Sequence, residues 1–163
     1  MKVLLRNQQR LIKINLNRIK KDSLRLLKSF NLKKAELGIL LVNDRRMKKL
    51  NHLHRGINKT TDVLSFPQLN SDKLLATSDK LKNKTSLLVT RYPLLPLGDI
   101  VINLHAAKRQ SSKYSLTLYG EVRQLLIHGF LHLLGYDHER SRYHEKKMER
   151  QERELKDTLE TLD

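Results

Sequence analysis

The stretch Leu125-Leu126-Ile127-His128-Gly129-Phe130-Leu131-His132-Leu133-Leu134-Gly135-Tyr136-Asp137-His138 decides how this chain is read. Residues 116–134 form the most apolar segment with helical length, carrying Leu118, Val122, Leu125, Leu126, Leu131, Leu133 and Leu134. A helix that is apolar all round is a buried one. His128 and His132 stand four apart, so they share one helix face about a turn from each other, and their imidazoles converge on a single ion. Gly135 is placed to end the helix in a left-handed turn, which brings His138 back to the same point. Two imidazoles on so apolar a helix are costly to bury without a strong partner. Three neutral imidazoles leave a tetrahedral ion one open position, the pattern of catalytic rather than structural zinc. Imidazole also suits other divalent metals, among which zinc is the preference.

The spacing His-x3-His-x5-His is shared with metzincin proteases, which need a Glu directly after the first His as general base. Gly129 stands there and cannot take a proton. Peptide hydrolysis by the usual route is disfavoured.

Working outward, residues 2–14 read as two short extended segments, around Val3-Leu4-Leu5 and around Leu11, Ile12 and Ile14. Leu16, Ile19, Leu26, Leu27 and Phe30 recur at helical spacing, giving an amphipathic helix with a basic outer face. Leu37 to Val42 is a strand; Asn43-Asp44 offers an N-cap for a short helix with Met47, Leu50 and Leu53, and Gly56 ends it. Val63 to Phe66 is a strand closed by Pro67. Residues 68–96 are polar and irregular, Leu97 to Ile102 is a strand, and Ala106 to Ser112 a short helix. From Glu139 onward acids and bases alternate, as in a solvated helix with no special function. Strands and helices interleave around one core, so the class is α+β or mixed-sheet α/β in a single domain, 1–163.

The chain has 163 residues, no Cys and a formal net charge of +16. Lack of Cys excludes disulfides and thiolate ligands and suits a reducing cytoplasm. No apolar run approaches a membrane span, and charge at Lys2 and Arg6 interrupts any signal-peptide core. A cytoplasmic location is expected. Residues 1–55 hold 16 Lys/Arg against the three acids Asp22, Glu36 and Asp44, a net of +13; residues 56–163 hold 17 against 14, a net of +3. Such a field attracts polyanions, and Lys20, Lys21, Lys33 and Lys34 are the candidate phosphate-tracking residues. A solvated basic face is the competing reading.

The segment 128–138 resembles the signature of the YbeY family of bacterial endoribonucleases, also described as ribosomal RNA maturation factors. Two further blocks agree, Leu53-His54-Arg55-Gly56 with Thr60-Thr61-Asp62-Val63-Leu64-Ser65-Phe66-Pro67, and Leu97-Gly98-Asp99-Ile100-Val101-Ile102. They come in the family's order, and the resemblance covers about residues 36–150. It implies a single α+β, zincin-like domain whose small mixed sheet is packed by helices, with the metal site on a central buried helix. It implies a zinc-dependent, single-strand-preferring endoribonuclease in 16S ribosomal RNA 3′-end maturation and ribosome quality control. One Zn2+ per chain would sit on His128, His132 and His138, and Arg55 would be catalytic. Ribosomal RNA, the small ribosomal subunit and ribosome-associated proteins would be the partners. The polar segment 68–96 and the basic N-terminal third depart from the family pattern.

The residues suit that chemistry. A phosphodiester transition state gathers charge that a metal ion and a guanidinium can share. Asp62 and Asp99 could orient imidazoles, or simply cap a strand or turn. Thr60 and Thr61 hold a turn, and His54 is a candidate for proton transfer. Attack by water and attack by the ribose 2′-OH both fit. The rival readings are a metallohydrolase of another class and a non-catalytic assembly factor whose metal only stabilises the fold.

Overall fold

Four strands and five helices make up the described part of the computed structural model, which covers residues 1–68, 94–137 and 141–161. In chain order they are β1 (Lys2–Asn7), α1 (Leu16–Ser29), β2 (Ala35–Val42), α2 (Asp44–Arg55), β3 (Val63–Pro67), β4 (Leu95–Asn103), α3 (Leu104–Lys113), α4 (Leu118–Leu133) and α5 (Arg142–Glu160). The sheet order is β1-β2-β4-β3. β1, β2 and β4 run parallel, and β3 pairs antiparallel on β4, with Val63 opposite Ile102 and Phe66 opposite Asp99. This is the mixed sheet of an α+β domain, as expected. Among the described residues no helix is long and apolar enough to cross a membrane.

Alternation along the strands divides the core in two. Ile39, Leu41, Ile100 and Ile102 face α1, α3, α4 and α5, while Val42, Leu64 and Val101 meet Met47 of α2 on the other side. Phe130 of α4 is fully buried and meets Phe30 edge-on at 5.5 Å between centroids. Truncating a ring so placed typically costs about 3–5 kcal/mol. Between α1 and α4 the buried carboxylate of Asp22 accepts from Arg123 Nε at 2.9 Å and from the Tyr119 hydroxyl at 2.5 Å. Burial, then that bond, pushes the Tyr119 phenol up to about 12.

The caps explain the element ends. Asn43 accepts from Arg46 N, and Gly56 closes α2 at φ 70°. Gly135, at φ 85°, makes the left-handed turn expected after α4. Gly98 has φ 138°, and a Cβ there would lie 2.4 Å from Phe66 O, so only glycine fits between β4 and β3.

Three expectations are corrected. The second extended segment of residues 2–14 is not a strand: Gln9 folds that stretch back, donating to Ile12 O and accepting from Ile12 N, both at 2.8 Å. β4 begins at Leu95, earlier than expected, because Leu95 and Pro96 pair with Ala35 and Glu36, ahead of a register shift in which Leu97 has no opposite residue on β2. That bulge accommodates Pro96. The third correction concerns α5. Its basic and acidic residues do face water, but Met148, Leu155 and Leu159 are buried in the main core, so the helix is docked rather than solvated all round. Most of the segment 68–96, and His138, lie outside the described residues.

Candidate metal centre

The site begins with a close approach of helix to sheet. A Cβ built on Gly129 would lie 2.8 Å from Ile100 Cγ2, 3.1 Å from Ser65 Oγ and 3.3 Å from Val63 Cγ2. Glycine there lets α4 lie directly on β3 and β4, and the Ser65 hydroxyl donates to Gly129 O at 3.1 Å. The residue that the sequence marks as a missing base is thus also a packing requirement. His128 and His132 flank this contact.

Their Nε2 atoms lie 3.1 Å apart. Two nitrogens each about 2.0–2.1 Å from one tetrahedral ion would be about 3.3 Å apart. On the other ring nitrogen, His128 Nδ1 is 2.7 Å from Glu152 Oε1 of α5. Donation of that N–H leaves the Nε2 lone pair facing His132, the arrangement in which a carboxylate fixes a ligand imidazole. The donor pair and its carboxylate fit a divalent ion of the imidazole-preferring kind. Among the described residues, to which His138 does not belong, no group of three or more such ligands forms.

Glu152 is the residue that sequence reasoning missed. It lies on the helix expected to have no special role, and no local spacing links it to His128. Its one signal is the helical phase of Met148, Leu155 and Leu159, which turns Glu152 inward beside them.

A cleft of about 470 Å³ opens over the imidazoles, lined by Arg55, Asp62, Ser65, His128, His132 and Asp137 among others. The last turn of α2 delivers Arg55 to its rim. A second cavity of about 520 Å³ lies beside His128 and contains Glu121 and Glu152. Burial, then the charge of Asp62, pushes the Glu121 carboxyl up.

The turn ahead of β3 is fixed by Asn103, whose Nδ2 donates to Asp44 Oδ1, Thr60 Oγ1 and Thr61 O at 2.8–3.0 Å. Thr60 and Thr61 therefore hold a turn, as read from the sequence. Asp62 accepts from Val63 N and Gln110 Nε2, both at 2.8 Å, and so caps the start of β3. Asp99 pairs across the sheet with Phe66, which packs on the α2 side, so its carboxylate is on the face away from α4. The carboxylate seated on the His128 imidazole is Glu152 rather than either aspartate. His54 stacks edge-on against Phe66 at 4.8 Å and does not line the cleft. Lys20 and Lys21 are exposed on α1, and Lys33 and Lys34 are exposed ahead of β2; none lines the cleft.

The family model described as Endoribonuclease YbeY matches residues 4–160. The Endoribonuclease YbeY of Leptospira interrogans is 42% identical over 135 residues, covering 83% of this chain and 94% of that protein. That of a Sulfurihydrogenibium species is 41% identical over 115 residues, 71% of this chain and 64% of the relative. The solution structure of TM1509 from Thermotoga maritima superposes with a TM-score of 0.62 at 20% identity, covering 96% of this chain and 88% of that one. At that identity the likeness speaks for the fold alone.

Proposed function

The chain belongs to the endoribonuclease YbeY family and is an endoribonuclease by that membership; we propose that it is zinc-dependent and cleaves single-stranded ribosomal RNA at the cleft between Arg55 and the imidazole pair. The observation that carries this reading is the convergence of the two Nε2 atoms beneath a cleft rimmed by an exposed guanidinium. His138 would complete the ligand set, by the spacing read from the sequence. When bound, the ion supplies Lewis-acid stabilisation of the charge that gathers on a phosphodiester as it is cleaved. Glu152 holds His128 in the ligating tautomer. Arg55 presents a planar fork to the non-bridging oxygens, sharing that charge with bidentate geometry. The 16S 3′ end in the cytoplasm is the proposed target, with the small ribosomal subunit and ribosome-associated proteins as partners. The exposed pairs Lys20-Lys21 and Lys33-Lys34 would add long-range attraction for RNA.

The test incubates zinc-loaded and chelated protein, and His132→Ala, with single-stranded and duplex RNA. Cleavage is expected only with loaded wild type and mainly on single strands, with about one zinc per chain in wild type and little in the variant. Equal metal in the two proteins would remove the assignment of the site. Binding of RNA without cleavage by loaded protein would favour the assembly-factor reading.

A further inference from the structure

The sequence places its excess charge in the N-terminal third, but the structure gives one part of it a direction. α2 buries Met47 and Asn51 against the sheet. Arg45, Lys48, His52 and Arg55 follow at spacings of three, four and three, which sets all four within about 80° of one another around the helix. Lys49 borders the same stripe, and all five side chains are exposed. The helix contains one acid, Asp44, and its oxygens are already engaged by Arg109 Nη1 and Nη2 at 2.7 and 2.9 Å and by Asn103 at 2.8 Å. Among the described residues, no carboxylate pairs with Arg45, Lys48, Lys49 or Arg55. By contrast, α5 neutralises its own charge, as in Arg150 with Glu154 at 2.9 Å. The stripe therefore keeps its full field, and its last residue rims the cleft.

We propose that this face of α2 is a track that holds single-stranded RNA and leads it into the cleft at Arg55. The proposal rests on the endoribonuclease reading and adds the path by which substrate reaches the site. From residue 45 to residue 55 the helix rises about 15 Å, enough for roughly four phosphates at the 3.4 Å spacing of a stacked strand. Cations one helical turn apart meet a phosphate backbone repeatedly without reading bases, so the track favours strand over sequence. Four exposed lysines elsewhere, Lys20 and Lys21 on α1 and Lys33 and Lys34 ahead of β2, belong to other elements and do not line the cleft, so they contribute only long-range attraction.

The test measures binding of a labelled single-stranded RNA across a salt series. It compares wild type, the triple variant Arg45→Gln/Lys48→Gln/Lys49→Gln, the quadruple variant Lys20→Gln/Lys21→Gln/Lys33→Gln/Lys34→Gln, and the charge-retaining triple Arg45→Lys/Lys48→Arg/Lys49→Arg. Circular dichroism and zinc content check that each is folded. Neutralising three contacts should lower the slope of log affinity against log salt by about 2. The quadruple variant should lose less although it removes more charge, and the charge-retaining triple should match wild type. Across oligomers of increasing length, the gain in affinity should flatten in the neutralised triple. An unchanged slope in that triple, or an equal loss in the quadruple variant, overturns the track. Displacement of RNA by polyglutamate at equal charge would also overturn it, in favour of an acidic protein partner. These readouts need no turnover, so a chain that binds along α2 yet cleaves nothing would retain the track and lose the nuclease reading.

Discussion

His128 and Glu152 are 24 positions apart in the sequence, yet Nδ1 of one lies 2.7 Å from Oε1 of the other. This bond joins α4, which carries the imidazoles, to α5, and it makes the second helix part of the candidate metal centre. Glu152→Gln keeps the side-chain shape but replaces a charged acceptor with a neutral one. Loss of such an outer partner typically weakens metal binding by about 10–100-fold. Competition against a chelator of known affinity should show that loss, with the far-ultraviolet dichroism unchanged. Zinc affinity equal to wild type would remove Glu152 from the centre.

Gly129 gives a prediction of the opposite kind, about packing rather than charge. In Gly129→Ala the new methyl meets Ile100 and Ser65 at 2.8 and 3.1 Å, where neither β4 nor β3 can give easily. Overpacking of this sort costs about 1–3 kcal/mol, even though alanine favours helix. Urea unfolding of the two proteins should show a lower midpoint for the variant. A Glu at this position would not create a peptidase, because its side chain would have to displace the sheet.

Asp44 predicts a dependence on pH. The guanidinium of Arg109, bonded through both nitrogens, holds its carboxyl down at about 2, with Asn103 and His105 adding to the effect. A carboxyl whose folded value is depressed contributes stability above its unfolded value near 4, and that contribution is lost as pH falls towards 2. The pair is partly exposed, so the contribution is about 1 kcal/mol or less. Asp44→Asn should be less stable than wild type at neutral pH, and the difference should shrink across pH 4 to 2. A constant difference through that window would mean that the side chain acts by shape alone.

What the sequence shows of this protein follows the range of the interactions. The His128–His132 pair, the Gly135 turn and the Asn43 cap are legible because they act within a few residues, where helix geometry fixes who meets whom. Gly129 is legible only as the absence of a base, since its packing role needs Ile100 and Ser65 brought in by the sheet. Glu152 and Asp99 show the limit. Each is a carboxylate in a suggestive place, but strand pairing puts Asp99 on the α2 face while the docking of α5 turns Glu152 onto His128. The bulge at Leu97 and the Gln9 fold-back escape pattern reading for the same reason: both depend on a partner strand or a side chain meeting the backbone.

Arg55 carries the last prediction, which separates catalysis from binding. Its guanidinium rims the cleft above the imidazole pair at the end of α2, which is terminated by Gly56. Arg55→Lys keeps the positive charge and the long stem but loses the planar fork that grips two phosphate oxygens at once. If that fork stabilises charge developing in the transition state, its loss should cost on the order of 100–1,000-fold in rate, as for other preorganised donors. Binding should change far less, because one phosphate contact among several contributes a small part of affinity. Zinc content should not change, since Arg55 is not a ligand. Single-turnover cleavage of saturating single-stranded RNA measures the first quantity, and a binding isotherm and elemental analysis measure the others. A variant that cleaves at the wild-type rate would leave Arg55 as one more cation on the α2 stripe. A variant that binds RNA as weakly as a stripe-neutralised protein would show that its guanidinium acts in capture rather than in the chemical step.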